Sequence, residues 1–145
     1  STHCISSAAS DVYKRQLLDR IDIQVEVSNV DYEDLSSTEN SETSAEIKKR
    51  VNKTRKLQLE RYKDYNIYSN SQLDAGMLKK FCPLGEEENA ILRAAFDNLG
   101  LSARAHSRIL KVARTIADLE GSENIKSEHI AEAIQYRSLD RKYFE

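Results

Sequence analysis

GLSARAHSRILKVARTIADLEG, residues 100–121, is the stretch that decides the fold. Gly100 is placed to end one helix and Ser102 to cap the next, because a serine hydroxyl satisfies an otherwise unpaired backbone N–H of the first turn. Ile109, Val112, Ala113, Ile116 and Leu119 then recur at the three- and four-residue spacing of one helical face, and Gly121 closes the run. The pattern predicts a helix from about Ala103 to Glu120.

The same grammar extends in both directions. Upstream, Glu86, Glu87 and Glu88 stand where a helix N-terminus favours negative charge, ahead of Ile91, Leu92, Ala95, Phe96 and Leu99. Asp74 is placed to cap a short helix through Phe81 that Pro83 stops. Thr43 and Glu46 form a capping-box pair opening a helix to about Lys63, with Ile47, Val51 and Leu57 expected inward. Downstream, Ser127 is expected to cap a last helix carrying Ile130, Ala133 and Ile134. Residues 21–30 (IDIQVEVSNV) differ in kind: Ile21, Ile23, Val25 and Val27 alternate with polar residues, the period of a half-buried strand. The expected fold is therefore mainly α, a bundle of about five helices preceded by one orphan β-strand. Such a strand needs sheet partners from elsewhere.

Residues 1–16 have no period and join abruptly to the patterned sequence, and DVYKRQ (residues 11–16) resembles the translation of a transposon mosaic-end adaptor. They are read as a non-native or disordered leader and set aside. Residues 17–35 form a second unit, residues 36–44 a polar linker, and residues 45–145 the helical domain.

Composition narrows the function. Only one proline and four glycines are present, too few turn formers for a sandwich or barrel. The net charge of −2 gives no global basic field. Charge is segregated, however. Acids alone occupy residues 31–46, whereas residues 48–63 carry Lys48, Lys49, Arg50, Lys53, Arg55, Lys56, Arg61 and Lys63 against Glu60. A basic segment of this kind can contact phosphates, although a solvated helix face is the commoner outcome. Cys4 and Cys82 lack disulfide or zinc spacing, and Cys82 fits a small buried core residue. No apolar run suits a membrane span and no signal pattern opens the chain, so a cytoplasmic setting is expected.

Catalytic motifs are missing. The glycines are isolated, so none can cradle phosphates as a Gly-rich loop followed by Lys and Ser/Thr does. His106 and His129 stand alone on helices and are read as surface or packing residues. Two arginine sites remain. Leu17-Leu18-Asp19-Arg20-Ile21-Asp22 places an arginine between acids at an element edge, where it can reach across an interface or simply form a local ion pair. Arg104, Arg108 and Lys111 fall at i, i+4 and i+7, a basic stripe starting in a helix's first turn, where the dipole opposes positive charge; an anionic partner would relieve it, and a solvated face is the alternative.

LLDRID (residues 17–22), GLSARAHSRILKVARTIADLEG (residues 100–121) and NIKSEHIAEAIQYRSLDRKYFE (residues 124–145) resemble the Mg-chelatase-like AAA+ ATPases, specifically their ComM/YifB branch. The likeness covers nearly everything from Leu17 onward and is weakest in the linker. A Gly-Pro pair usually precedes the first motif in that family, where Arg15-Gln16 stand here. The resemblance implies that residues 45–145 are an AAA+ lid, and that the strand is the last of the AAA+ core. It further implies that Arg104 is the sensor 2 arginine reaching the γ-phosphate of ATP, supported by Arg108, and that Arg20 is an arginine finger acting in trans on a neighbouring subunit. Both roles call for a permanently charged, multi-donor group. Such a finger is worth roughly three to five orders of magnitude in rate.

By the same resemblance the cofactor is ATP with Mg2+ in the full-length protein, and the partners are its own AAA+ core and the neighbouring subunits of a hexameric ring. The substrate is DNA, worked by branch migration. Without Walker motifs this piece is not expected to hydrolyse ATP alone. The competing readings are a chelatase-type motor that remodels a partner protein, and a stand-alone helical nucleic-acid-binding module using residues 48–63.

Overall fold

The structure, a computed structural model, describes residues 20–27 and 42–137. The expected leader, most of the linker, the end of the strand motif and the last eight residues lie outside these. The described residues form five α-helices: α1 (Ser44–Arg61), α2 (Ala75–Phe81), α3 (Glu86–Leu99), α4 (Ala103–Glu120) and α5 (Ser127–Gln135), with a 3-10 turn at Asn70–Gln72. The helical bundle read from the sequence is borne out.

The start and stop signals act much as their chemistry requires. Thr43 Oγ1 accepts from Glu46 N at 3.3 Å while a Glu46 carboxylate oxygen accepts from Thr43 N at 2.8 Å, closing the capping box. Asp74 accepts from Met77 N at 2.8 Å and Ser102 from Ala105 N at 3.1 Å. Gly121, at φ 83°, ends α4 in the left-handed conformation, and its own N–H and that of Ser122 return to carbonyls of the last turn. The last helix starts differently from expectation. Lys126, not Ser127, is its N-cap, because His129 Nδ1 reaches back to accept from Lys126 N at 3.0 Å. Ser127 instead donates to Glu88 of α3 at 2.9 Å.

α4 is the central helix, packed against α1, α2, α5 and the 3-10 turn, while α3 packs on α5. Ile109 and Ala113 are fully buried as the period predicts, and Ala105 and Ala117 add small surfaces that let neighbouring helices approach. Leu92, Leu101, Ile125, Ile130 and Ala133 complete that side of the core. Tyr62 and Tyr65 each meet Phe81 edge to face, with centroids 5.0 and 5.2 Å apart, beside buried Cys82.

Two inward assignments are corrected. Ile47, Val51 and Leu57 of α1 are 41%, 41% and 36% exposed, because α1 meets the bundle through Thr54, Gln58 and Tyr62 towards its C-terminal end. Leu119 at the end of α4 is likewise exposed. Residues 21–27 carry no strand ladder, and Ile21, Ile23, Val25 and Val27 face outward while Gln24 is buried. Asp22 and Glu26 are exposed as well, so burial does not follow the alternation, and no described strand lies alongside to pair with the segment.

Candidate functional site

The arginines singled out from the sequence gather around the N-terminal half of α4. Arg104 is exposed in the first turn, where the helix dipole repels its charge and would attract an anion. Arg108, one turn on, forms an ion pair with Asp22 at 3.1 Å. Lys111 donates to the carbonyl of Ser71 at 2.8 Å. The basic stripe therefore divides: its second and third members fasten other segments to α4. Arg20 is exposed in the turn that leads into Ile21 and Asp22, so the Asp22–Arg108 pair brings the stretch carrying Arg20 against the helix carrying Arg104.

Two contacts from the end of α5 hold the same stretch. Arg137 Nη1 donates to the Ile21 carbonyl at 2.8 Å, and Gln24 N donates to the Tyr136 carbonyl at 2.8 Å. Arg137 is only 1% exposed. A guanidinium so buried is costly to desolvate and must be matched by acceptors. Arg137 was not singled out from the sequence, where nothing distinguishes it from the other cations near the end of the chain.

Sequence reasoning also missed the polar centre of the bundle. Asp118 of α4 has no exposed side-chain surface and accepts from Arg61 at 2.5 and 2.8 Å, Asn70 at 2.8 Å, Gln58 at 3.2 Å and Arg114 at 3.0 Å. Arg114 also donates to the carbonyls of Glu123 and Ser122, at 2.8 and 2.7 Å. Burial pushes the Asp118 pKa up, but the bonds from Arg61 and Asn70 and the charges of Arg114 and Arg61 outweigh it and hold the carboxyl below its usual range. The four-residue spacing of Arg114 and Asp118 was the one signal available. This network joins α1, the 3-10 turn, α4 and the α4–α5 loop, and its role is to build the fold.

Two further clusters are weak candidates. A groove of about 810 Å³ is lined by Glu86, Asn89, Arg93, Phe96, Asp97 and His106, and its two carboxylates make it a poor anion site. Glu120, Glu128 and His129 bring possible metal ligands within 4.8 Å of one another. Lys126 Nζ, however, already bridges Glu120 and Glu128 at 2.7 and 3.2 Å. Because His129 Nδ1 accepts a hydrogen bond, the neutral ring carries its proton on Nε2, which faces Glu120. The trio is an ion-pair cluster held by a lysine. Among the described residues no helix is long and apolar enough to cross a membrane.

Comparison with known proteins fits this arrangement. Residues 41–137 match the family described as magnesium chelatase, subunit ChlI C-terminal. The chain is 42% identical over 125 residues to the competence protein ComM of Haemophilus influenzae, and 40% identical over 125 residues to the uncharacterized protein YifB of Escherichia coli. Each alignment covers 86% of this chain but 24% of the relative, so the chain spans about a quarter of the length of the proteins it matches. An uncharacterized protein of Mycobacterium bovis is 27% identical over 121 residues. A helical bundle that matches the family over the whole stretch from the α1 cap to Arg137 leads to one conclusion: the chain belongs to the magnesium chelatase ChlI C-terminal family, as the C-terminal part of a Mg-chelatase-like protein akin to ComM and YifB.

Proposed function

We propose that this chain is the lid of a ring-forming AAA+ ATPase in which Arg104 reads the γ-phosphate of Mg-ATP, with Arg108 supporting it, and Arg20 serves as the arginine finger for a neighbouring subunit. The observation that carries this reading is the Asp22–Arg108 ion pair, which ties the Arg20 stretch to α4 at a residue one helical turn past Arg104. Arg104 in the first turn of α4 and Arg20 at a turn are both exposed, and each offers the multi-donor guanidinium that an anion calls for. Arg108 then acts chiefly through the lid–core contact. In the full-length protein the ring drives branch migration of DNA, a substrate favoured over a protein client by the relative whose name places it in competence.

The test uses the full-length protein. Arg104→Ala and Arg20→Ala should each abolish ATP hydrolysis. Mixing the two inactive proteins should restore part of it, since a ring interface can combine the intact sensor of one subunit with the intact finger of its neighbour. No recovery would mean that both arginines serve one site from one subunit, and would sink the division of roles. Unchanged turnover in Arg104→Ala would sink the sensor assignment. Branched DNA should raise the wild-type rate, and indifference to DNA would favour the protein-remodelling alternative.

One observation favours a second reading, nucleic-acid binding by α1 itself. Lys49, Lys53 and Lys56 fall at i, i+4 and i+7 and are exposed, on the face turned away from buried Thr54 and Gln58.

A further inference from the structure

The Arg20 stretch raises the question of what holds it in place. Ile21, Ile23, Val25 and Val27 are 42%, 51%, 62% and 81% exposed, so none is a core residue and apolar burial falls away along the stretch. Polar attachments to the bundle come from α4 and from the two residues that follow α5. Arg108 of α4 pairs with Asp22. From the end of α5, Arg137 donates to the Ile21 carbonyl and the Tyr136 carbonyl accepts from Gln24 N. The first of these anchors lies next to Arg20 in sequence. Backbone fixed at Ile21 limits the directions in which the Arg20 side chain can leave, because few torsions separate the two.

We propose that Arg137 and Arg108 are positioning residues that set the direction of Arg20, so that the helices sensing nucleotide through Arg104 also aim the finger offered to the next subunit. The proposal rests on the reading of Arg20 and Arg104 given above. Arg104 and Arg108 share α4, one turn apart, so a displacement of α4 that follows phosphate binding is passed to Asp22 without any intervening loop. Arg137 supplies the second point of attachment. Two points fix an orientation where one would leave a pivot. A guanidinium suits this role because its planar fork can hold a carbonyl while its remaining donors are satisfied elsewhere.

The test again uses the full-length protein, with ATP as the probe. Arg137→Lys keeps the charge and loses the fork. Asp22→Asn removes one end of the surface pair at a side chain 60% exposed, where folding is not at stake. Both should lower kcat about tenfold while KM for ATP stays within about twofold, since misplacing a reacting group by an ångström costs up to about a hundredfold in rate. In the 145-residue chain itself, Arg137→Lys should speed amide exchange at Gln24 at least about tenfold while the buried amides of α4 keep their protection. Wild-type kcat in Arg137→Lys and Asp22→Asn, alongside an inactive Arg20→Ala, would overturn the positioning proposal and leave the finger reading standing. Activity that falls only in step with melting temperature would also overturn it, by making Arg137 structural. Full activity in Arg20→Ala would remove the finger reading, and the positioning proposal with it.

Discussion

Arg114 Nη2 and Asp118 Oδ1 stand 3.0 Å apart, one turn from each other on α4, with 3% and 0% of their side chains exposed. Arg61 reaches the same carboxylate from the end of α1, so one buried anion serves two guanidinium groups as well as Asn70 and Gln58. Removing the shared charge leaves Arg114, with 3% of its side chain exposed, and Arg61, with 20%, without the carboxylate that neutralises them. Asp118→Asn, which keeps the shape, should therefore destabilise the chain by about 3–5 kcal/mol, the range for breaking a buried pair from one side. Denaturant unfolding reads this directly, and a loss below about 1 kcal/mol would show that the network is dispensable.

The pH dependence follows with a definite sign. Asp118 is held below its usual value of 3.8 in the folded state, so the folded protein binds that proton less readily than the unfolded chain. Its stabilisation is complete above the unfolded pKa and is lost as pH falls through the lower folded value. The stability gap between wild type and Asp118→Asn should stay level from about pH 5 to 8 and narrow below about pH 4. A gap that widens on acidification would contradict the assignment.

How much of this was legible beforehand depended on the range of the interaction. Caps and apolar periods act within a few residues, which is why α2, α3 and α4 were placed from Asp74, Pro83, Ser102, Gly100 and Gly121. The partners of Arg61, Asn70 and Arg137 lie 57, 48 and 116 residues away, and no local pattern encodes such pairings. The inward assignment of Ile47 and Val51 failed for a related reason. They do share a helical face with Thr54 and Gln58, but only the later part of that face meets α4. Of the site, Arg20, Arg104 and Arg108 were visible only as cations in a suggestive pattern and through family resemblance. That Arg108 holds Asp22 became visible only in three dimensions.

The exposure of the early α1 face gives a contrast that can be measured. Val51→Ser, at a side chain 41% exposed, should cost under about 1 kcal/mol, because little apolar surface leaves a dry environment. Ile109→Ala, at a side chain with no exposure, should cost about 2–5 kcal/mol through lost transfer energy and the cavity left behind. Equal costs at the two positions would mean that the early α1 face is buried after all.

Cys82 is expected to be inert in the native state. Burial pushes its thiol up to about 11, from an ordinary 9.0, with the charges of Arg114 and Arg61 opposing only part of that shift. The thiolate is the reactive form, so at pH 8 a rise of about two units cuts its population about a hundredfold. In a Cys4→Ser background, iodoacetamide should label the native chain at least about a hundred times more slowly than the unfolded chain. Rapid labelling under native conditions would show that the α2 end of the core opens readily.

The basic face of α1 makes the last prediction, and its outcome divides a solvated helix from a nucleic-acid contact. Between Glu46 and Glu60 the helix carries cations without an intervening acid, and of these Arg50 is already engaged by Glu42 at 2.5 and 3.1 Å. Lys49, Lys53 and Lys56 point away from the bundle, so they can approach a phosphate backbone without unpacking any core residue. If they do, duplex DNA should bind the 145-residue chain at low salt, and log affinity should fall linearly with log salt concentration. Neutralising the three together, as Lys49→Gln, Lys53→Gln and Lys56→Gln, should then make that slope shallower by about 2.7, at roughly 0.9 per phosphate contact. Binding with an unchanged slope would place the contact elsewhere, and no binding at low salt would leave α1 as a solvated face of the bundle.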